Sequence, residues 1–176
     1  HISYGEYFDI EVHSHNGKQD MMERLNTAMV PGMRITNMVE LPDNAGNAMA
    51  TVAAARYKVE IKNSDEMKID FVGLKDAFLG QDEILVTKQT KKQELTIDIK
   101  PYIFEWTPYE NGVEMFVDAS SSNNVKPALA MESFCKFAGV EADPIAFQII
   151  RMDTYLNNGS TEKPDFKPLD YVGKDF

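Results

Sequence analysis

The stretch Tyr57-Lys58-Val59-Glu60-Ile61-Lys62 alternates apolar and charged side chains with a period of two. This pattern is typical of a β-strand with one buried face. The apolar residues that follow it recur at helical spacing and predict one face of a helix that ends at Gly80: Met67, Phe71, Leu74 and Phe78. A strand followed by such a helix favours a fold in which helices cover a sheet.

Further elements are predicted on the carboxy-terminal side of this unit. Residues 83–90, 95–104 and 113–118 have the composition and turn signals of three strands, the last following an Asn111-Gly112 turn. Residues 126–137 have helical spacing, and residues 147–155 predict a final strand. The sequence therefore predicts a β-meander followed by a helix and a closing strand.

The amino-terminal part is predicted to form strands and a helix as well. Phe8, Ile10 and Val12 alternate with polar residues and predict a first strand. Asn16 and Gln19 resemble a capping box at the start of a helix that stops at Pro31-Gly32. A second strand is predicted over residues 33–41.

The predicted order of elements belongs to the α+β class. It contains ferredoxin-like βαβ units, with helices on one face of a mainly antiparallel sheet. We expect residues 1–156 to form one domain, or two similar halves that share a core. Residues 157–176 are rich in Asn, Gly, Ser, Pro and charged residues and predict an extended or mobile tail.

Composition limits the classes of function. The 176 residues carry a net charge of −10, which argues against a surface that grips nucleic acid everywhere but leaves a local basic patch open. The single cysteine, Cys135, cannot hold an iron–sulfur cluster, and no cofactor is expected. The sequence has neither an apolar run of about 20 residues nor a signal-peptide pattern, so we expect a cytoplasmic protein without a membrane partner.

Basic residues cluster around one predicted hairpin turn. Lys91 and Lys92 lie in the turn, and Lys88 and Lys100 lie on the strands beside it. Such a patch would steer a phosphate backbone or an acidic partner. The alternative is a solvated turn without a ligand.

A second candidate anion site lies at the start of the predicted helix 126–137. Free N–H groups at a helix amino terminus favour an anion, and this loop adds hydroxyl, amide and ammonium groups. The alternative is a loop that only caps its helix, with Asn124 as the cap and Pro127 in the first turn. The candidate side chains are those of Ser120, Ser122, Asn124 and Lys126.

Two further sets of residues are candidates for a site. Arg151 is expected to share a strand face with Asp153, either as a structural ion pair or as part of an anion site. Glu11, His13 and His15 are spaced to project from one face of a strand and carry ligand types that suit zinc. A small metal-dependent enzyme is therefore an alternative function, although a solvated strand end explains the same spacing.

Several short motifs together resemble a bacterial family, the radical-SAM-associated domain of unknown function. This family occurs alone or fused behind cobalamin-binding radical SAM proteins. The similar pieces lie in the same order along most of the chain: residues 5–11, Leu25-Asn26, Pro31-Gly32, Ala55-Arg56-Tyr57, Thr90-Lys91-Lys92, residues 98–101, residues 122–127, Arg151, Asp153 and Tyr155.

The resemblance also has a clear departure. Members of that family usually begin with a basic segment that carries a Ser-His-Leu-Asp motif, and this segment does not precede His1, so the chain resembles the carboxy-terminal portion. The resemblance implies an accessory role for a radical SAM partner enzyme that modifies RNA or a ribosome-associated substrate. Our leading hypothesis is a non-catalytic recognition domain for RNA or a ribonucleoprotein surface. A module that binds only protein is a further alternative.

Overall fold

The computed structural model describes residues 2–62, 67–89 and 93–176. Its strands are β1 (Ile2–Ser3), β2 (Val52–Ile61), β3 (Leu85–Gln89), β4 (Glu94–Asp98), β5 (Ile103–Tyr109), β6 (Gly112–Asp118), β7 (Phe147–Asn157) and β8 (Phe166–Pro168). Its α-helices are α1 (Lys18–Ala28), α2 (Ala48–Thr51), α3 (Phe71–Leu79) and α4 (Pro127–Phe137). Single 3-10 turns occupy Lys100–Tyr102, Pro144–Ala146 and Leu169–Val172.

Six strands form one sheet in the order β1-β7-β2-β6-β5, with β8 also pairing with β7. The pairs β2–β6, β2–β7, β5–β6 and β7–β8 are antiparallel, whereas β1 runs parallel to β7. β3 and β4 form a separate antiparallel hairpin. The structure thus confirms an α+β fold with a mainly antiparallel sheet.

The core lies between this sheet and helices α3 and α4. Alternate residues of β2, such as Val59 and Ile61, face the helices, as the period-two pattern predicts. The ring of Phe134 on α4 lies 5.4 Å from the ring of Phe71 and 4.9 Å from that of Phe78, measured between centroids. These aromatic contacts join both helices into one apolar layer on one face of the sheet.

The opposite face of the sheet carries a charged and aromatic cluster. The Arg56 guanidinium donates to Glu105 at 2.8 Å and to Glu114 at 3.2 Å, and it lies 4.8 Å from the centre of the Phe116 ring. Phe166 of β8 packs on Phe116 with ring centroids 5.0 Å apart. Phe116 is consequently buried, and its ring is not available for stacking on a ligand.

The tail, residues 157–176, returns to the sheet. Its extended part forms β8 on the edge of β7, and Leu169 is buried. Further along, the backbone N–H of Glu40 donates to the Lys174 carbonyl at 2.8 Å, and the Lys174 N–H donates back at 2.9 Å. The tail therefore links the amino-terminal part of the chain to the sheet.

Two strands predicted near the amino terminus do not form. Residues 7–12 have no regular secondary structure, and the side chains of Phe8, Ile10 and Val12 are 60%, 45% and 46% exposed. Residues 33–41 make only the isolated bridge between Glu40 and Lys174. Both predictions are wrong: β1 and β8 occupy the outer edge of β7, and neither residues 7–12 nor residues 33–41 pair with a strand of the sheet.

Smaller predictions also need correction. Helix α1 begins after Gly17, which has a φ of 100°, and no side chain caps it, so the capping box at Asn16 is wrong. The predicted strand 95–104 is divided: β4 ends at Asp98, Pro101 lies in a 3-10 turn, and β5 follows. A proline in a turn is consistent with its missing backbone donor.

Among the residues that the structure describes, no helix is both long enough and apolar enough to cross a lipid bilayer.

Candidate functional site

Two lysines from separate elements meet at the amino end of α4. Lys88 lies on β3, and its ammonium group donates to the backbone carbonyl of Asn124. Lys126 follows Asn124 by two residues and occupies the N-cap position of α4. Val125, which lies between Asn124 and Lys126, is buried, and its N–H donates to the Asp118 carbonyl at 2.9 Å. This hydrogen bond holds the loop in place. We call Lys88 and Lys126 the lysine pair.

The electrostatics of the lysine pair show that the two charges act on each other. Burial, and after it the positive charge of Lys126, lowers the pKa of the Lys88 ammonium below its ordinary value. Within residues 2–62, 67–89 and 93–176, neither lysine forms a salt bridge with a carboxylate. The pair is therefore a local concentration of positive charge in a chain whose net charge is −10.

The first turn of α4 adds backbone donors to this positive charge. Pro127 occupies the first helical position and has no N–H, and the first helical hydrogen bond runs from Ala130 N–H to the Lys126 carbonyl at 3.2 Å. The N–H groups of Ala128 and Leu129 precede that bond and have no acceptor within the helix. Together with the helix dipole, they favour an anion beside Lys126.

The hydroxyl and amide residues of this loop have other roles than those predicted. Ser120 donates its hydroxyl to Asp118 at 2.6 Å, which closes the turn after β6, while Ser122 is exposed. Asn124 contributes its backbone carbonyl to Lys88 and is not the cap of α4, because the N-cap residue is Lys126 and no side chain caps it. The predicted Asn124 cap is therefore wrong.

The structure describes only one of the remaining lysines of the predicted patch, Lys100, and it is not part of this arrangement. Lys91 and Lys92 lie outside the described residues. Lys100 lies beyond the end of β4 that pairs with the start of β3, and its ammonium group donates to the Gln81 carbonyl. The register partner of Lys88 is Leu95, which lies three residues, or about 10 Å, from Asp98 along β4. Lys88 is therefore remote from the end of the hairpin where Lys100 lies.

Arg151 lies in β7, and its environment differs from the predicted one. The register of β7 on β2 shifts by one residue, so Asp153 is opposite Arg56 whereas Arg151 is opposite Tyr57. Successive residues of β2 face opposite sides of the sheet, so Arg151 and Asp153 do not share a face. Arg151 instead pairs with Glu6 at 3.1 Å, and Asp153 accepts from Tyr7 at 3.0 Å.

These two contacts join residues about 145 positions apart, and no local pattern in the sequence indicated them. The only signal was that both partners belong to the short motifs of the family resemblance. Burial, and after it the charge of Asp153, raises the pKa of the Tyr7 phenol, so Tyr7 is a neutral donor at physiological pH.

The structure does not bring the candidate zinc ligands together. Glu11 and His13 are exposed, and the His15 ring accepts from the Gly17 N–H at 3.1 Å and contacts Phe176 edge to face. Among the described residues, no group of three or more His, Cys, Asp and Glu side chains is arranged to hold a metal ion. The strand that was to align these three residues is absent, which removes the geometric basis of that alternative.

Cys135 is buried in α4 against the core. Burial raises the pKa of its thiol to about 11, so at neutral pH it is a protonated, unreactive group.

Comparison with known proteins identifies the family. Residues 1–127 match the family model described as an uncharacterized protein conserved in bacteria (DUF2344). Neither a curated protein nor a solved structure gives a significant match to the chain. Because the match covers more than half of the sequence, the chain belongs to this uncharacterised bacterial family.

Proposed function

We propose that this DUF2344 member is a non-catalytic recognition domain that binds RNA, or an RNA surface of a ribonucleoprotein, beside a partner enzyme. The observation that carries the proposal is the lysine pair, Lys88 and Lys126, at the amino end of α4. Neither lysine forms a salt bridge among the described residues, and the repulsion between the two charges is offset when a phosphate binds between them.

The charge distribution supports a local rather than an extended contact. A net charge of −10 repels nucleic acid from most of the surface, so phosphate binding has to be concentrated where positive groups are concentrated. The lysine pair and the first-turn N–H groups of Ala128 and Leu129, which have no acceptor within the helix, supply such a position. Lys91 and Lys92, which follow β3 in the sequence, extend the same proposal on the basis of the sequence alone.

The partner enzyme is proposed to be a radical SAM protein, acting in the cytoplasm. This part of the proposal rests on the resemblance of the short motifs to a domain found alone or fused behind such enzymes. With one cysteine the chain cannot hold an iron–sulfur cluster, so the radical chemistry would belong entirely to the partner.

We also infer a ferredoxin-like arrangement for the central part of the chain. The connectivity β2-α3-β5-β6-α4-β7, with spatial order β7-β2-β6-β5 and antiparallel neighbours, supports it. In this arrangement the lysine pair lies on the helix side of the sheet. The sheet face that carries Phe116 is already covered by Phe166, so base stacking there is not part of the proposal.

The experiment is a binding titration with a fluorescent single-stranded RNA at several salt concentrations. The double variant Lys88→Gln, Lys126→Gln should weaken binding and reduce the slope of log K against log salt by about 1.4, or about 0.7 per lost phosphate contact. Lys136→Gln is the matched control, because Lys136 is exposed at the other end of the same helix. Equal slopes for the double variant and the wild type would refute the proposal.

A second candidate function, a module that binds only protein, is favoured by a different observation. Phe8, Ile10 and Val12 keep the alternation of a half-buried strand and yet are exposed. Affinity purification after nuclease treatment distinguishes the two functions. A stable protein partner that is lost in the Phe8→Ser, Ile10→Ser variant but retained in the lysine double variant would favour the protein module.

A further inference from the structure

The register shift in β7 creates a polar cluster under the edge of the sheet. It turns Arg151 to the same side as Tyr57 on β2. On the other side of β7, Ser3 of β1 is the register partner of Arg151. Side chains of directly opposite residues lie about 5 Å apart at Cβ. Tyr57, Arg151 and Ser3 therefore form one row across three strands.

Two polar atoms of this row have nothing to bond. In the part of the chain that the structure describes, Arg151 Nε and Ser3 Oγ are both buried from solvent and have no hydrogen-bond partner. Buried polar groups are almost always satisfied, so two neighbouring exceptions call for an occupant. Because one is a cationic donor and the other a hydroxyl, the occupant has to offer acceptor oxygens.

The arrangement around the guanidinium indicates which anion fits. Glu6 takes only the Nη1 atom, at 3.1 Å, and its side chain is 58% exposed, so it binds at the outer end of the group. The half-buried Tyr57 phenol also interacts with the guanidinium and orients it from β2. The inner Nε lies on the other edge of the group, where it forms a fork with Nη2, and such a fork matches the two oxygens of a carboxylate. A singly charged carboxylate is repelled by Glu6 less than a doubly charged phosphate is.

We propose that Arg151, Ser3 and Tyr57 form a binding site for a carboxylate group, distinct from the lysine pair. The carboxylate accepts from Arg151 Nε and from the Ser3 hydroxyl, and Glu6 competes for the same guanidinium. The source is either a free carboxylic acid or the terminal carboxylate of a peptide, and these share the same chemistry.

The test follows the Nε–Hε signals of the arginine side chains by NMR while acetate is added to the whole chain. We expect a saturable shift of the Arg151 signal, and no saturable shift of Arg24, which is 75% exposed and lies beside Asp20. N-acetylglycine should act like acetate if a peptide terminus is accepted, whereas N-acetylglycinamide, which has no carboxylate, should have no effect. Binding of acetate but not of N-acetylglycine would assign the site to small acids.

Variants separate the site from a structural role. Ser3→Ala should weaken acetate binding about fivefold, the usual effect of one hydrogen bond. Glu6→Gln should tighten it, because the competing charge is removed. Arg151→Lys keeps the charge but loses the fork and the Nε–Hε signal, so it is read at the Ser3 backbone amide, where the acetate-dependent shift should be abolished. The lysine double variant should leave acetate binding unchanged.

The proposal is overturned if the Arg151 signal shows no saturable change, which is the result for a site that holds an ordered water only. Equal acetate affinity in the wild type, Ser3→Ala and Glu6→Gln would overturn it as well. Neither result bears on RNA binding at the lysine pair, so the two proposals fail independently.

Discussion

Helices α1 and α4 have the same length of 11 residues, yet α1 buries none of its side chains and α4 buries four. The difference extends to the regions around them. No side chain of residues 2–53, the amino-terminal region, is buried, whereas residues 54–157, the sheet region, hold nearly the whole core. The comparison teaches that a helical or strand-like pattern of apolar residues does not by itself place a segment in a core.

The amino-terminal region is held mainly by hydrogen bonds near the surface. Tyr4 N–H donates to the Arg151 carbonyl at 2.8 Å, Tyr7 donates to Asp153, and Glu40 pairs with Lys174 of the tail. Each such bond contributes only about 1 kcal/mol net. We therefore expect this region to open locally at a lower free energy than the sheet region.

The largest expected effect comes from removing a core ring. Phe134 is fully buried between the rings of Phe71, Phe78 and Trp106, so Phe134→Ala should lower the free energy of unfolding by about 3–5 kcal/mol. Phe8→Ala, at a side chain that is 60% exposed, should change it by no more than about 0.5 kcal/mol. Urea denaturation measures both, and similar losses for the two variants would contradict the division into two regions.

The next effect concerns the tail. Ending the chain after Pro168 removes the Glu40–Lys174 hydrogen bonds and the 2.9 Å contact between Asn37 and Asp170. The Glu40 amide should then exchange with deuterium about tenfold faster or more, while the Val59 amide should not change. Lys174→Ala is the matched control, because it keeps the backbone bonds. Unchanged exchange at Glu40 would mean that the tail does not hold the amino-terminal region.

A smaller effect is expected from Glu132 in the sheet region. Burial, and after it the charge of Asp143, raises the pKa of the Glu132 carboxyl, and its Oε1 atom is buried without a hydrogen-bond partner among the described residues. Because the pKa of Glu132 is raised in the folded state, ionised Glu132 lowers the free energy of unfolding. This loss develops as the pH rises through the pKa that Glu132 has in the folded state.

Glu132→Gln should therefore stabilise the protein at pH 7, by no more than about 0.5 kcal/mol because the carboxyl is partly solvated. The gain should disappear below about pH 4, where Glu132 is protonated in the folded and the unfolded states alike. Thermal unfolding at both pH values measures it. A variant less stable than the wild type at pH 7 would show that Glu132 has a favourable partner.

The smallest effect lies within the lysine pair. Lys126→Gln removes the second cause of the lowered pKa of Lys88, so that pKa should rise, while burial keeps it below its ordinary value. A pH titration of the Lys88 side chain by carbon NMR gives the pKa. An unchanged pKa in this variant would mean that the two charges do not sense each other.

Periodicity predicted the elements whose apolar face meets another element. Strand β2 and helix α4 were found because burial on one side leaves a regular pattern in the sequence. Phe8, Ile10 and Val12 have the same pattern, but a strand also needs a partner strand, and periodicity carries no information about pairing. Strands as short as β1 and β8, of two and three residues, leave too few positions for a pattern.

The candidate site was predictable only in its parts. The sequence indicated a basic hairpin and a helix-terminus loop separately, and the packing of β3 beside α4 brings Lys88 to Lys126. The position of Arg151 was not predictable, because a shift of one residue in the register decides which face its side chain takes. The contacts of Glu6 with Arg151 and of Tyr7 with Asp153 were not predictable either, because each joins residues at opposite ends of most of the chain.

The most direct test of the account is to map a single-stranded RNA on the protein by backbone amide chemical shifts. RNA binding at the lysine pair should produce the largest saturable changes in the sheet region, at Lys88, Ala128 and Leu129, while residues 7–12 remain unaffected. Changes confined to residues 7–12, or no saturable change at the amino end of α4, would contradict it.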